Sequence, residues 1–160
     1  TTYPLQMETA HNDITLPPYD ARIKIVEGRR MIFDTLRRKY VRLTPEEWVR
    51  QHFVHFLIIH KGFPSALIAN EVKLKVGNKV LRADTVLYDT LFHPRMIIEY
   101  KSPDVAIGQA VFNQIAVYNM ILHVDYLIVS NGINHYICKM DYNGVPTYSF
   151  LRDIPNYNDL

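Results

Sequence analysis

Ile97-Ile98-Glu99-Tyr100-Lys101 is an apolar run that becomes charged at its end, and Leu81-Arg82-Ala83-Asp84 precedes it with a second acid. Residues two apart on a strand share a face, so Glu99 and Lys101 are predicted to project together, within about 7 Å of each other. The apolar residues indicate a buried strand. The charged residues at its end indicate a site.

The neighbouring stretch makes this prediction sharper. Residues 80–88 and 96–101 are rich in β-branched and aromatic residues, and the polar, proline-containing segment between them is typical of a loop. An antiparallel hairpin of these two strands places Asp84 opposite Glu99, or one residue away, with side chains about 5 Å apart. Opposed like charges destabilise a sheet unless a cation or a shared proton neutralises them.

A divalent cation is the natural partner for such a pair. Mg²⁺ and Mn²⁺ take oxygen ligands, and Mg²⁺ is often bound by one or two carboxylates while it keeps several waters. Lys101 beside such an ion is placed to orient or deprotonate a water, or to offset charge on a phosphate. The alternative is structural: Lys101 forms an ion pair with Asp84 or Glu99 where the strand reaches solvent.

The order of these residues resembles a known motif. Asp84 followed by Glu99-Tyr100-Lys101 resembles the PD-(D/E)xK nuclease motif, with Ala83 where a proline often stands. Downstream, Gln114-Ile115-Ala116-Val117-Tyr118 is similar to the QxxxY motif of RecB-like nucleases and restriction subunits, and two residues four apart share a helix face. Across roughly residues 23–155, the chain resembles the N-terminal nuclease domain of type I restriction enzyme R proteins.

This resemblance implies a restriction-endonuclease-like α/β (α+β) fold and a nuclease that hydrolyses DNA with Mg²⁺ or Mn²⁺. Asp84 and Glu99 are then metal ligands, and Lys101 completes the catalytic set. Glu47 is a further candidate ligand, because relatives often add a carboxylate from the first core helix. Helix capping by Thr44 explains Glu47 equally well.

The second motif has two explanations as well. The resemblance carries Gln114 and Tyr118 over as DNA contacts. Alternatively, Tyr118 belongs to the core and Gln114 satisfies a buried backbone group.

Basic residues are the other candidates for DNA contact. The net charge is only +2, but a nearly balanced total can conceal a local basic face. Lys73, Lys75 and Arg82 are predicted to contact the DNA backbone. Other basic clusters are Arg29-Arg30, Arg37-Arg38-Lys39 with Arg42, and Lys79. Simple solvation of such charges is the alternative.

Protein partners are expected from the same resemblance. Type I R proteins join this domain to an ATP-driven translocase, and the printed sequence has no GxxxxGK phosphate-binding loop. We therefore expect a stand-alone nuclease or a subunit that works with translocase or specificity subunits of a restriction system. A catalytically inactive nuclease-fold module and an enzyme acting on RNA are the competing hypotheses.

Length and patterning predict one domain. The chain has 160 residues, 48% of them hydrophobic, which suffices for a single core. We expect an irregular arm over residues 1–20, one nuclease-like domain over 21–155 and a short tail over 156–160. The predicted core follows the order α-β-β-β-α-β: a helix over 45–60, strands over 67–76, 80–88 and 94–101, a helix over 108–122 and a strand over 126–130.

The remaining expectations concern residues outside this core order. A hairpin over 22–33 leads into a basic connection, and two further strands follow residue 133. We expect Glu71 to face Arg82 as an ion pair across a hairpin. The lone Cys138 and the absence of a secretion signal or a long apolar run predict a cytoplasmic protein without a membrane segment.

Overall fold

The computed structural model describes residues 14–160, apart from the side chains of Val76 and of residues 114, 115 and 117–121. The strands and helices, labelled in chain order, are as follows: β1 Ile23–Val26, β2 Arg29–Asp34, β3 Lys39–Arg42, α1 Pro45–Lys61, β4 Ile68–Val76, β5 Lys79–Tyr88, β6 Pro94–Tyr100, α2 Gln109–Leu122, β7 Tyr126–Ser130, β8 His135–Asp141 and β9 Thr147–Leu151.

The strands form a three-stranded sheet and a six-stranded sheet, each in sequence order from β1 to β3 and from β4 to β9. All neighbours are antiparallel except β6 and β7, which run parallel because α2 connects them. The α-β-β-β-α-β order from α1 to β7 confirms the mixed α/β fold class predicted from the sequence.

A helix covers each face of the larger sheet. On one face, Val49, Phe53 and Leu57 of α1 belong to a core cluster with buried residues of the central strands, among them Met96, Ile98 and Ile128. On the other face, Phe112 of α2 belongs to a second cluster with Val86, Ile97, Leu127 and Val129. Neighbouring residues of β6 alternate between the two clusters, which is the period of a strand covered on both sides.

Helix α1 begins and ends as its sequence predicts. The Thr44 hydroxyl accepts a hydrogen bond from the Glu47 backbone N–H at 3.1 Å, Pro45 opens the first turn, and Gly62 ends the helix with φ +73°. In a capping box the Glu47 side chain would also bond to the Thr44 backbone N–H, and the described contacts contain no such bond. The Glu47 carboxylate accepts hydrogen bonds from Arg37, Arg50 and Gln51 instead.

The predicted basic connection after residue 33 is wrong, because this segment contains the strand β3. Arg38 takes a left-handed conformation, φ +53°, and turns the chain back so that Lys39–Arg42 pairs with β2. Tyr40 and Val41 give this short run β propensity, which the surrounding basic residues concealed.

Both ends of the described chain pack against the core. The Thr15 backbone N–H donates to the Gly132 carbonyl at 2.7 Å, and Leu16 lies in the α1 core cluster, which Leu160 also contacts. Cys138 is a buried free thiol. Among residues 14–160, neither helix is long and apolar enough to cross a membrane.

Candidate active site

The pairing of β5 with β6 brings the two acids together. Thr85 lies opposite Ile98 and Val86 opposite Ile97, and the same register continued by one residue sets Asp84 opposite Glu99. The Asp84 carboxylate accepts a hydrogen bond from the Tyr100 backbone N–H at 2.9 Å, which fixes Asp84 against β6. The hairpin register predicted from the sequence is therefore confirmed.

Glu99 is the least satisfied acid in this arrangement. Its Oε1 atom is buried and has no hydrogen-bond partner. Burial raises the pKa of Glu99 to about 9, and the charge of Asp84 and a side-chain hydrogen bond with it add to the increase. The Asp84 backbone and Lys101 oppose this shift but do not cancel it. Without a bound cation, Glu99 therefore keeps its proton at neutral pH, because the protein offers its ionised form too little compensation.

Lys101 is held at the end of β6 by its backbone. Its N–H donates to the Ser130 carbonyl at 2.8 Å, which extends the parallel pairing with β7 past Tyr100. Its charge lowers the pKa of Glu99, so the ammonium group acts on the same site as the acid pair.

An open cleft of about 350 Å³ gives access to the pair. Five acids, two cations and two uncharged polar residues line it; the lining residues are Thr44, Glu46, Glu47, Arg50, Glu71, Asp84, Glu99, Tyr100 and Lys101. Every charged residue of the predicted catalytic set faces this cleft.

Arg50 connects the cleft to the core beneath it. Its guanidinium donates to both oxygens of Glu47 at 2.8 and 2.9 Å, to Glu71 Oε1 at 2.7 Å and to the Asp84 carbonyl at 2.9 Å. The residue is only 8% exposed, so these bonds form largely out of water. One buried cation therefore joins α1, β4 and β5 behind the acid pair.

Glu47 lies in the cleft lining, but its carboxylate is already saturated. It accepts bonds from Arg50, from Arg37 at 2.9 Å and from Gln51 at 3.0 Å. Burial favours the neutral acid, yet the hydrogen bonds and charge of Arg50, followed by Gln51 and Arg37, hold the pKa of Glu47 below its ordinary value. In this arrangement Glu47 is the counter-ion of two arginines.

The network continues to Asp34 at the end of β2. Asp34 is fully buried and accepts bonds from Arg37 at 2.6 Å, from Gln51 at 3.1 Å and from Asn70 at 3.0 Å. Asn70 accepts the Thr85 hydroxyl at 2.7 Å, and Thr85 accepts the Tyr100 hydroxyl at 2.9 Å. Buried hydrogen bonds thus run from the small sheet to the residue between Glu99 and Lys101.

The predicted ion pair between Glu71 and Arg82 is wrong. Arg82 lies opposite Lys73, and the pairing of β4 with β5 is interrupted at Glu71, which has a left-handed φ of +57°. Glu71 bonds to Arg50 instead. A non-glycine residue rarely adopts this conformation without compensation, and the buried Arg50 supplies it.

The predicted DNA contacts lie in different places. Lys73 and Arg82 face each other on the β4–β5 hairpin, and both side chains are exposed, as is Lys75. Gln114 and Tyr118 lie on α2, but their side chains fall outside the described residues.

The described side chains do not form a complete metal cage. Among them, no group of three or more His, Cys, Asp or Glu residues is arranged to hold a metal ion. The donor set that fits a hard cation is the Asp84 and Glu99 pair with its orphaned oxygen. Two carboxylates with open positions for water and phosphate suit Mg²⁺ better than a closed all-protein cage.

Sequence reasoning did not identify Arg50, Arg37 or Asp34 as part of the site. A usable signal was present at Arg50, three residues after Glu47 and flanked by the core residue Val49. A charged residue on the inner face of a helix predicts a buried partner. Its partners in β4 and β5, however, come from distant parts of the sequence.

Replacing Arg50 by Met is expected to destabilise the domain by about 3–5 kcal/mol, because Glu47 loses its main partner while buried. Chemical denaturation measures this loss. The double variant Glu47→Leu with Arg50→Met is expected to recover part of it, and the exposed Glu46→Gln change serves as the control. Equal stability of Arg50→Met and Glu46→Gln would contradict the role of this network.

Replacing Glu99 by Gln is expected to stabilise the metal-free domain at neutral pH. The folded-state pKa of about 9 exceeds the ordinary 4.5, so the parent loses stability as pH rises from about 4.5 towards 9, and the variant does not. Thermal melting in chelator is expected to show equal values near pH 4 and a gap on the order of 3 kcal/mol at pH 7. A difference in stability that stays constant across this pH range would refute the raised pKa of Glu99.

Comparison with known proteins identifies the family. The family model described as type I restriction enzyme R protein N terminus matches residues 45–155. A fragment structure assigned to an HsdR subunit of a type I restriction enzyme from Vibrio vulnificus YJ016 is similar at 23% identity with a TM-score of 0.49, over 71% of this chain. The aligned part amounts to 24% of that longer chain. A search of curated proteins gave no match. The family match spans well over half of the sequence, and the chain therefore belongs to the family of type I restriction enzyme R protein N-terminal domains.

Proposed function

We propose that this domain is a metal-dependent endonuclease of the PD-(D/E)xK type that hydrolyses phosphodiester bonds of DNA. The observation that carries the proposal is the acid pair of Asp84 and Glu99, opposed across two strands, with the buried Oε1 of Glu99 left without a partner in an open cleft. When both acids are ionised, a pair of this kind is unfavourable unless a ligand of opposite charge neutralises it.

Mg²⁺ or Mn²⁺ is the proposed cofactor, held by Asp84 and Glu99. When bound, the ion would supply Lewis-acid activation of water and of the scissile phosphate. Glu47 is kept out of this ligand set, because Arg37, Arg50 and Gln51 already occupy its oxygens.

The other roles in the proposed reaction belong to protein residues. Lys101 presents a positive charge at the rim of the pair, where it positions the attacking water and stabilises charge on the phosphate. The Tyr100 N–H and the Arg50 guanidinium hold the side chain and the backbone of Asp84, so the first acid keeps its orientation. Gln114, Tyr118, Lys73, Lys75 and Arg82 are the proposed contacts to the DNA backbone.

DNA is the proposed substrate because the family belongs to restriction enzymes. The family also suggests translocase and specificity subunits of a restriction system as protein partners.

Cleavage is expected to depend on Lys101. Supercoiled plasmid incubated with Mg²⁺ or Mn²⁺ is expected to be nicked by the parent, and Lys101→Ala is expected to lower the rate about a hundredfold or more, because a charge that stabilises the transition state is lost. Lys139→Ala removes an exposed lysine from β8 and serves as the matched control. Equal nicking by parent and Lys101→Ala would exclude this site, and cleavage of labelled RNA but not DNA would reassign the substrate.

Metal binding is expected to depend on the acid pair. Calorimetric titration with Mn²⁺ is expected to show binding by the parent and none by Asp84→Ala, because the variant loses half of the carboxylate charge that holds the ion. Asp153→Ala, an exposed acid near the C-terminus, is the control. Absence of binding by parent and variant alike would favour an inactive module that keeps the fold.

A further inference from the structure

The small sheet of β1, β2 and β3 turns one face towards the core at β2 and the other face away from it. Ile32 and Asp34 of β2 are fully buried and point towards the core. Phe33 lies between them and points the other way, together with Tyr40, its partner on β3. The outward face is therefore a separate surface, and it lies outside the segment matched by the family model.

Cations and aromatic rings share this outward face. We use the name basic face for the outward set comprising Arg22, Lys24, Arg29, Phe33, Tyr40 and Arg42. The register places Lys24, Met31 and Arg42 in one row across the three strands. All four basic residues are exposed, and none of the strand residues on this side is acidic.

The aromatic rings hold two of the cations in place. The Arg22 guanidinium lies 4.3 Å from the centre of the Phe33 ring, and the Lys24 ammonium lies 3.9 Å from the centre of the Tyr40 ring. The rings contact each other edge to face at 5.2 Å. Cations ordered in this way lose less conformational entropy when they bind an anion.

The charge of the chain is concentrated in this region. Residues 22–42 contain eight of the 18 lysines and arginines and only two of the 16 acids. One of those acids, Asp34, faces the core. The rest of the chain carries a net negative charge of 4, and four of the eight cations of residues 22–42 lie on the basic face. Such an uneven distribution fits a polyanion.

We propose that the basic face binds the phosphate backbone of a nucleic acid. The ligand class rests on the proposed function. The sheet is physically tied to the cleft, because Asp34 on its inner side bonds Gln51 and Asn70, and Arg37 bridges Asp34 to Glu47 at 2.9 Å. Binding is independent of base sequence, since the face offers cations to phosphates and no identified donor set for base edges.

The test measures binding without cleavage. Fluorescence anisotropy with a short labelled duplex of arbitrary sequence, in chelator and with Asp84→Ala in every protein, separates this proposal from the nuclease proposal. The double variant Arg29→Gln with Arg42→Gln is expected to bind about tenfold more weakly at 0.1 M salt, and the slope of log K against log salt is expected to shrink by about 2. A duplex of scrambled sequence is expected to give the same values.

Two comparisons complete the design. Lys139→Gln with Arg152→Gln removes the same charge from exposed positions elsewhere and is expected to leave the affinity nearly unchanged. Arg29→Lys with Arg42→Lys keeps the charge and is expected to bind like the parent, which excludes a folding defect as the cause of weak binding. Equal loss in the control pair, or unchanged binding in the glutamine pair, would overturn the proposal. Binding to phosphatidylserine vesicles but not to the duplex would overturn it as well.

Discussion

The guanidinium of Arg50 is the interaction on which the rest of the structure depends. It is buried, and it donates to groups on three elements: Glu47 on α1, Glu71 on β4 and the Asp84 carbonyl on β5. A buried charge is tolerated only when its donors are satisfied, so these elements are constrained to meet at one point. The position of Asp84 in the cleft is a direct result, because the backbone of Asp84 is one of the partners.

Glu47 and Glu99 show how surroundings separate two acids of the same type. Glu47 is surrounded by donors and is held ionised, with a lowered pKa. Glu99 faces another acid, keeps one oxygen unpartnered and has a raised pKa. The first acid therefore contributes to folding, and the second is kept at a cost to folding. Groups kept at such a cost are more typical of function than of structure.

The sequence predicts most of the large sheet because its signals are local. The cap at Thr44, the alternation along β6 and the turn residues between strands each depend on a few neighbouring residues. The opposition of Asp84 and Glu99 follows from the length of one hairpin loop. The sequence analysis does not predict strand β3, because its charged residues mask a short apolar pattern.

The polar network could not be predicted in the same way. Arg50 meets Glu71 and the Asp84 carbonyl only after the sheet has formed, since they lie 21 and 34 residues away along the chain. The left-handed conformation of Glu71 likewise results from tertiary contact, and no pattern in the neighbouring sequence predicts it. Sequence patterns thus indicate which residues are charged and buried, whereas the partners of those residues depend on the assembled fold.

The hydroxyl of Tyr100 helps to fix the register of β6 against β5. It donates to Thr85, which in turn donates to Asn70, and each of these side chains is buried. If β6 slipped by one residue along β5, Tyr100 would turn to the opposite side of the sheet. Its hydroxyl would then lose its hydrogen-bond acceptor. The same slip would separate Glu99 from Asp84. The tyrosine inside the charged motif therefore favours the alignment that opposes the two acids, because a slipped hairpin leaves its buried hydroxyl unsatisfied.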